Sequence, residues 1–245
     1  MRTLLELKNI SLYNKNDIRV KDINLAINDG EKIALVGKSG SGKSSLISIA
    51  NGSLLPNEGE VVWKGININK ISKRESSNIG TIWQDLYLID ELNVAQNINC
   101  GALGKHNFIW ALKNLLGIVD KELCQECLSA VYLPKKVIYS YISKLSGGQK
   151  KRIAIARLLR QEPEILFGDE PFSNLDPLLA KNILNLFINK KKYFNIKIPK
   201  TILISLHQIN LINNFDRVIA LNNGKIVIDS PIKNINPSEL EWIFN

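Results

Sequence analysis

The sequence predicts an α/β protein: a largely parallel sheet with helices between its strands, interrupted by one helical block. Three observations predict it. Short apolar runs alternate with helical stretches along most of the chain. A glycine-rich loop ending in Lys-Ser joins one of those runs to a helix. From about Val94 to Arg160 the apolar residues recur instead at three- and four-residue steps, with few β-branched runs, which is the period of helices. The 245 residues, 45% of them hydrophobic, suffice for one good core and not for two ordinary domains with linkers.

Taken in order, Leu4 to Ile10 and Ile23 to Ile27 alternate apolar and polar residues, as strands with one buried face do. Ile33-Ala34-Leu35-Val36 is a continuous apolar run, suited to a strand buried on both faces. A helix follows from Gly42 to about Ala50, then strands at Gly59 to Trp63 and Asn78 to Trp83. Within the helical block, Phe108 to Leu116, Lys121 to Tyr132 and Gln149 to Leu159 carry the clearest helical period. Strands resume at Ile165 to Phe167, Thr201 to Leu206 and Val218 to Leu221, and the last turns through Asn222-Asn223-Gly224 into Lys225 to Ile228. Helices fall at about Leu178 to Lys190 and Gln208 to Asn214, and a capped helix is expected at Glu239 to Phe244.

Composition excludes several classes. No apolar run approaches the ~18–20 residues of a membrane span, and Met1 to Glu6 reaches a charge before a signal-peptide core. Three cysteines do not make a disulfide framework. The expectation is a soluble protein of a reducing, intracellular compartment. The net charge is +9, from 32 Lys+Arg against 23 Asp+Glu. This attracts nucleic acid, anionic lipid and polyphosphate alike. The densest clusters, Lys150-Lys151-Arg152 and Lys190-Lys191-Lys192, lack interleaved aromatics and read as solvated faces, so nucleic acid is not an expected partner.

Two segments carry chemistry. Gly37-Lys38-Ser39-Gly40-Ser41-Gly42-Lys43-Ser44 fits the phosphate-binding pattern G-x-x-x-x-G-K-[ST] between a buried strand and a helix. Its glycines let successive N–H groups point at phosphate oxygens, and the helix N-terminus adds its positive end. Lys43 bridges β- and γ-phosphates and the Ser44 hydroxyl ligates Mg²⁺, so the loop binds ATP or GTP. Ile165-Leu166-Phe167-Gly168-Asp169-Glu170 supplies the complement, with Asp169 holding Mg²⁺ and Glu170 polarising the attacking water. Cys124-Gln125-Glu126-Cys127, with Cys100 and His106, nominally completes a zinc set. Because Lys121 to Tyr132 reads as one helix, buried thiols are the better reading. Trp63, Trp83 and Trp110 read as core or interface aromatics.

Leu145-Ser146-Gly147-Gly148-Gln149 before a basic amphipathic helix resembles the signature of the ABC ATPases. The family's other motifs follow in register: Gln84 resembles the Q-loop glutamine, Ser173-Asn174-Leu175-Asp176 the D-loop, and His207 the switch histidine. The resemblance covers essentially the whole chain. It implies a P-loop NTPase fold with a RecA-like core (about 1–84 and 162–245), a small antiparallel β region, and an α-helical signature subdomain (about 85–161). It implies ATP and Mg²⁺ as ligands, with Ser44, Asp169 and Gln84 on the metal and Ser45 beside Ser44 at the nucleotide. Gln84, Glu170 and His207 take catalytic roles.

The family stacks adenine on an aromatic residue after the first strand. Tyr13 is the candidate, one residue short of the common spacing, and a tyrosine that merely packs is the alternative. Two copies are expected to pair head to tail, so that Ser146, Gly147, Gly148, Gln149 and Asp176 close on the partner's ATP. The segment from Gln84 to Leu145 has the length of a compact subdomain, without the coiled coils or zinc modules of chromosome and repair ATPases. Transport is therefore favoured, with permease subunits docking near the cleft after Gln84 and a solute-binding protein acting indirectly. Leu86 to Gly104, Phe108-Ile109-Trp110 and Leu206-His207-Gln208 are similar to the phosphonate-importer branch. The alternatives are an importer of another small solute or an exporter. A peripheral place on the cytoplasmic face of the inner membrane follows from the same resemblance.

Overall fold

The computed structural model describes residues 2–14, 17–189, 195–206 and 208–236. In chain order the elements begin with β1 (Thr3–Asn14), β2 (Asp17–Asn28), β3 (Lys32–Val36), α1 (Lys43–Ala50), β4 (Glu58–Trp63) and β5 (Ile66–Asn67). Next come α2 (Lys73–Ser76), β6 (Ile79–Ile82), α3 (Val94–Asn99), α4 (Phe108–Leu115), α5 (Lys121–Ala130) and α6 (Gly147–Gln161). The last are β7 (Ile165–Gly168), α7 (Pro177–Ile188), β8 (Thr201–Ser205), α8 (Ile209–Ile212), β9 (Arg217–Asn222) and β10 (Lys225–Pro231). The helix expected over Glu239 to Phe244 and the lysines 190–192 lie outside the described residues.

The chain divides into two compact units. The first comprises Met1–Ser72, Leu166–Glu170 and Lys200–Asn245. In it β2-β1-β4-β5 form one antiparallel sheet, and β10, β9, β3, β8 and β7 are ordered in that sequence in another. β3 runs parallel to both β8 and β9, and β10 is antiparallel to β9. The apolar runs behave as their lengths predict: Ile33 to Val36 and Leu166 to Phe167 are fully buried, and so are Ile202 to Ile204. The alternating segments near the N-terminus extend beyond the apolar residues that announced them. β1 and β2 reach Asn14 and Asp17, because paired backbones continue the ladder through polar residues. Arg217 joins strands here by binding the carboxylates of Asp229 and Glu31 and the carbonyl of Ala26.

The second unit, Lys73–Ile165 with Pro171–Pro199, is mainly helical. Asn93 opens α3 with a capping box: its side chain accepts from Gln96 N while Gln96 Oε1 accepts from Asn93 N. The core of this unit forms where α3 and α5 pack on α6, around Val94, Ile98, Leu128, Ile153 and Ala156. Cys124 and Cys127 lie on the buried face of α5, as the helical reading of that segment expects.

Helix α4 departs from expectation. Its three- and four-residue apolar period predicts a buried apolar face, yet Phe108, Ile109, Leu112 and Leu115 are exposed and Asn114 is buried. The reason is a polar network beneath it. Gln96 Nε2 donates to the carbonyls of Asn114 and Leu115, and Asn114 Nδ2 donates to Gln96 O. Asn99 Nδ2 donates to Asn114 Oδ1. These bonds satisfy polar groups that are buried, and the apolar side of the helix faces outward.

Candidate functional site

In the first unit, β3 delivers the chain into the loop Gly37 to Gly42, from which α1 starts. Gly37, Gly40 and Gly42 have φ of 150°, 81° and 105°. Space is restricted at two of them. A Cβ on Gly37 would lie 2.4 Å from Leu221 O, and one on Gly42 would lie 2.4 Å from Arg19 O. The loop thus lies directly against β2 and the β9–β10 turn, where Gly224 N donates to Ser41 O and Lys21 N donates to Gly224 O. Lys38, Ser39 and Gly40 are exposed at the tip, and Gly37, Ser41, Gly42 and Lys43 are buried.

Lys43 curls back over the loop, its Nζ donating to Gly37 O at 2.8 Å and Lys38 O at 2.9 Å. Burial pushes its ammonium below the ordinary lysine range, and the Glu170 and Asp169 carboxylates work against that shift. A cation, two carboxylates and a curled backbone are therefore gathered at the carboxyl ends of β3 and β7, where α/β sheets place their ligands. The Ser41 Oγ is buried without a hydrogen-bond partner among the described residues. Such a group costs free energy unless something supplies the bond, and a phosphate oxygen is a group able to supply it. Ser44 and Ser45 follow in the first turn of α1, Ser44 exposed and Ser45 half-buried.

Asp169 and Glu170 follow β7. Asp169 is buried, and its Oδ1 accepts from Ser205 Oγ at 2.9 Å. Glu170 has a left-handed backbone, φ 48°, and its N–H donates to the same Ser205 Oγ at 2.8 Å. A non-glycine residue is held in that region at a cost of about 1–2 kcal/mol. Tyr13, near the end of β1, is partly exposed. Its N–H donates to Asn57 Oδ1 and its hydroxyl lies 3.5 Å from Glu58 Oε2.

In the second unit, Ser146 caps α6 with a capping box: its Oγ accepts from Gln149 N and Gln149 Oε1 accepts from Ser146 N. Among the described residues, nothing demands glycine at Gly147 or Gly148. Neither has a positive φ, a Cβ on Gly147 would meet nothing within 4 Å, and one on Gly148 would touch only Leu175 at 3.8 Å and Asn174 O at 4.0 Å. Gln84 is exposed just after β6. Asp176 caps α7 through Leu178 N and Leu179 N, with Pro177 in the first turn. His207 lies outside the described residues.

Three residues that shape these segments were not singled out by the sequence reading. Ser205 ends an apolar strand, and the only signal was a serine after three buried aliphatics. Lys151, read as part of a solvated basic cluster, is buried in fact. Its Nζ donates to the carbonyl and hydroxyl of Ser173, because the face of α6 it occupies is turned inward. Arg157 donates to the carbonyls of Leu86 and Tyr87, both at 2.6 Å, and so anchors the loop that follows Gln84. Among the described residues no cluster of three His, Cys, Asp or Glu groups is placed to hold a metal ion. Burial pushes the Cys124 thiol up to about 12, so it is an inert core group. Of the tryptophans, Trp63 is core and Trp110 stacks on His106 at 4.3 Å. Trp83 is half-buried, edge-on to Tyr87.

The family described as ABC transporter matches residues 20–173. The chain belongs to the ABC transporter family. As an ABC cassette it is an ATPase coupled to transport. It is 36% identical over 249 residues to the phosphonates import ATP-binding protein PhnC 3 of Halalkalibacterium halodurans, covering 98% of this chain and 94% of that protein. It is 38% identical over 246 residues to the PhnC protein of Treponema denticola, covering 97% and 93%. Among solved structures, a dimeric bacterial ABC transporter cassette superposes with TM-score 0.80 at 27% identity, covering 95% of this chain and all of that one. A dimeric ABC cassette in a post-hydrolysis state with ADP and Pi superposes with TM-score 0.78, also at 27% identity and with the same coverage. The P-loop NTPase fold of the ABC cassettes is therefore the fold of this chain.

Proposed function

We propose that this ABC cassette is the ATP-hydrolysing subunit of a membrane importer for phosphonates or a related small oxyanion, working peripherally at the cytoplasmic face of the membrane. One observation carries the reading: the similarity to phosphonate-import proteins spans 97–98% of the chain. It is not confined to the cradle that any P-loop protein needs.

The residues divide the work as follows. Gly37 to Ser45 receive the triphosphate, with Lys43 exchanging the Gly37 and Lys38 carbonyls for β- and γ-phosphate oxygens and Ser41 gaining the partner it lacks. Tyr13 lies alongside the base. The Ser44 hydroxyl and the Asp169 carboxylate are hard-oxygen donors that would suit Mg²⁺, and Gln84 is the further ligand that the family resemblance implies. When bound, the ion neutralises charge on the phosphate oxygens. Glu170 accepts a proton from the attacking water, and the family resemblance gives His207 the role of switch histidine.

The glycines Gly147 and Gly148, which this chain's own packing does not demand, suit the close approach of a second molecule's phosphates. The division of labour we infer is a nucleotide-binding core at about 1–84 and 162–245, and a helical signature subdomain at about 85–161. In a head-to-tail pair, Ser146, Gly147, Gly148, Gln149 and Asp176 close on the nucleotide of the partner. We place the permease contact near the segment after Gln84; α4 shows a separate exposed apolar face of Phe108, Ile109, Leu112, Leu115 and Leu116, a grouping that soluble monomers seldom present.

The test is reconstitution of the chain with its permease in vesicles. ATP turnover is then measured with binding protein loaded with phosphonate, phosphate or amino acid. Stimulation by the phosphonate-loaded protein is expected. A response to phosphate or amino acids alone overturns the substrate assignment.

A further inference from the structure

The carboxylates at the end of β7 are held by a residue from another strand. Ser205 is the last residue of β8, follows three buried aliphatics and is itself fully buried. Its hydroxyl is used in both directions: it accepts from Glu170 N at 2.8 Å and donates to Asp169 Oδ1 at 2.9 Å. A hydroxyl can accept and donate through one oxygen atom, which an aliphatic side chain cannot. Through β8, the same group is in register with Leu35 of β3, two residues before Gly37.

We propose that Ser205 is a positioning residue for hydrolysis: its hydroxyl fixes the left-handed backbone from which the Glu170 carboxylate projects and orients the adjacent Asp169 carboxylate. With an apolar residue at 205, the Glu170 amide loses its acceptor and Asp169 loses a donor. The backbone of Glu170 at φ 48° then loses the hydrogen bond at its amide, and it relaxes toward the ordinary negative-φ regions. The carboxylate is displaced while the cradle that grips the phosphates stays intact. The inference rests on the ATPase reading of Glu170 given above.

The experiment compares the wild-type chain with Ser205→Ala, Ser205→Thr and Glu170→Gln. It reads kcat, the KM for ATP, the affinity for ATP without Mg²⁺, and the melting temperature of the nucleotide-free protein. Ser205→Ala is expected to lower kcat by about ten- to a hundredfold, the scale of a misplaced reacting group. Its KM and Mg²⁺-free affinity stay within about threefold, as loss of a transition-state interaction requires. Ser205→Thr, which keeps the hydroxyl, is expected to recover most of the turnover. A Ser205→Ala kcat within twofold of wild type overturns the proposal. So does equal loss in Ala and Thr, or a kcat loss matched by lost ATP affinity or a collapsed melting temperature, since a merely structural role gives those results. Normal hydrolysis by Glu170→Gln refutes the underlying reading instead, so the two failures are told apart.

Discussion

At the residue scale, the cradle is built from side chains that are present and from side chains that are missing. Gly42 combines φ 105° with a Cβ position 2.4 Å from the Arg19 carbonyl. A backbone oxygen cannot swing aside as a side chain can. Gly42→Ala is therefore expected to destabilise the protein by about 2–4 kcal/mol, read as a lowered denaturant midpoint. Lys43→Ala differs in kind. It removes the ammonium and its bonds to the Gly37 and Lys38 carbonyls but forces no backbone clash, so the midpoint falls less than for Gly42→Ala. Nucleotide affinity should fall by about a hundredfold or more, since charge-assisted bonds to phosphate are lost. A fluorescent-nucleotide titration beside a urea melt separates the two. An unchanged titration for Lys43→Ala refutes the cradle assignment.

At the scale of elements, sequence period told where helices lie better than which way they face. The segments around α5 and α6 bury the residues their spacing nominated, including Cys124 and Cys127. The α4 segment has an equally good apolar period and turns it outward, because Gln96 and Asn99 offer the Asn114 backbone and side chain hydrogen bonds from below. Nothing within residues 108–116 announces those partners. Burial of α5 also sets a pH dependence. An unfolded chain ionises its thiols near 8.5, the ordinary value of about that size, whereas Cys124 keeps its proton up to about 12. The unfolded state binds fewer protons between those limits, so stability falls as the pH rises through that window. Urea midpoints at pH 7.5 and about 9.5 should differ more for wild type than for Cys124→Ala. Iodoacetamide should leave Cys124 and Cys127 unmodified until the protein is denatured.

At the scale of the whole molecule, the chain carries two surfaces that its own packing leaves without explanation. Gly147 and Gly148 open α6 with room for side chains they do not have, and α4 shows an apolar face to the outside. Both make sense for a component of a larger assembly. Glu170→Gln is accordingly expected to bind ATP, stall before hydrolysis and accumulate as an ATP-dependent dimer. Light scattering should show the mass double with ATP and return to that of one chain when ATP is removed. A variant that stays monomeric in saturating ATP counts against the head-to-tail arrangement.

The sequence by itself determined the glycine-rich turn after β3, the order of the motifs, and the buried strands. Each of these is a local fact: a turn needing glycines, a lysine beside a serine, or a run of aliphatics long enough to lie between two layers. The tertiary structure alone decided that Ser205 bonds residues 169 and 170, which lie more than thirty positions earlier in the chain. It also decided that Lys151 is buried against Ser173 and that α4 faces outward. A polar side chain's role depends on which groups from distant segments meet it in the folded chain, and neither its type nor its neighbours in sequence record that meeting.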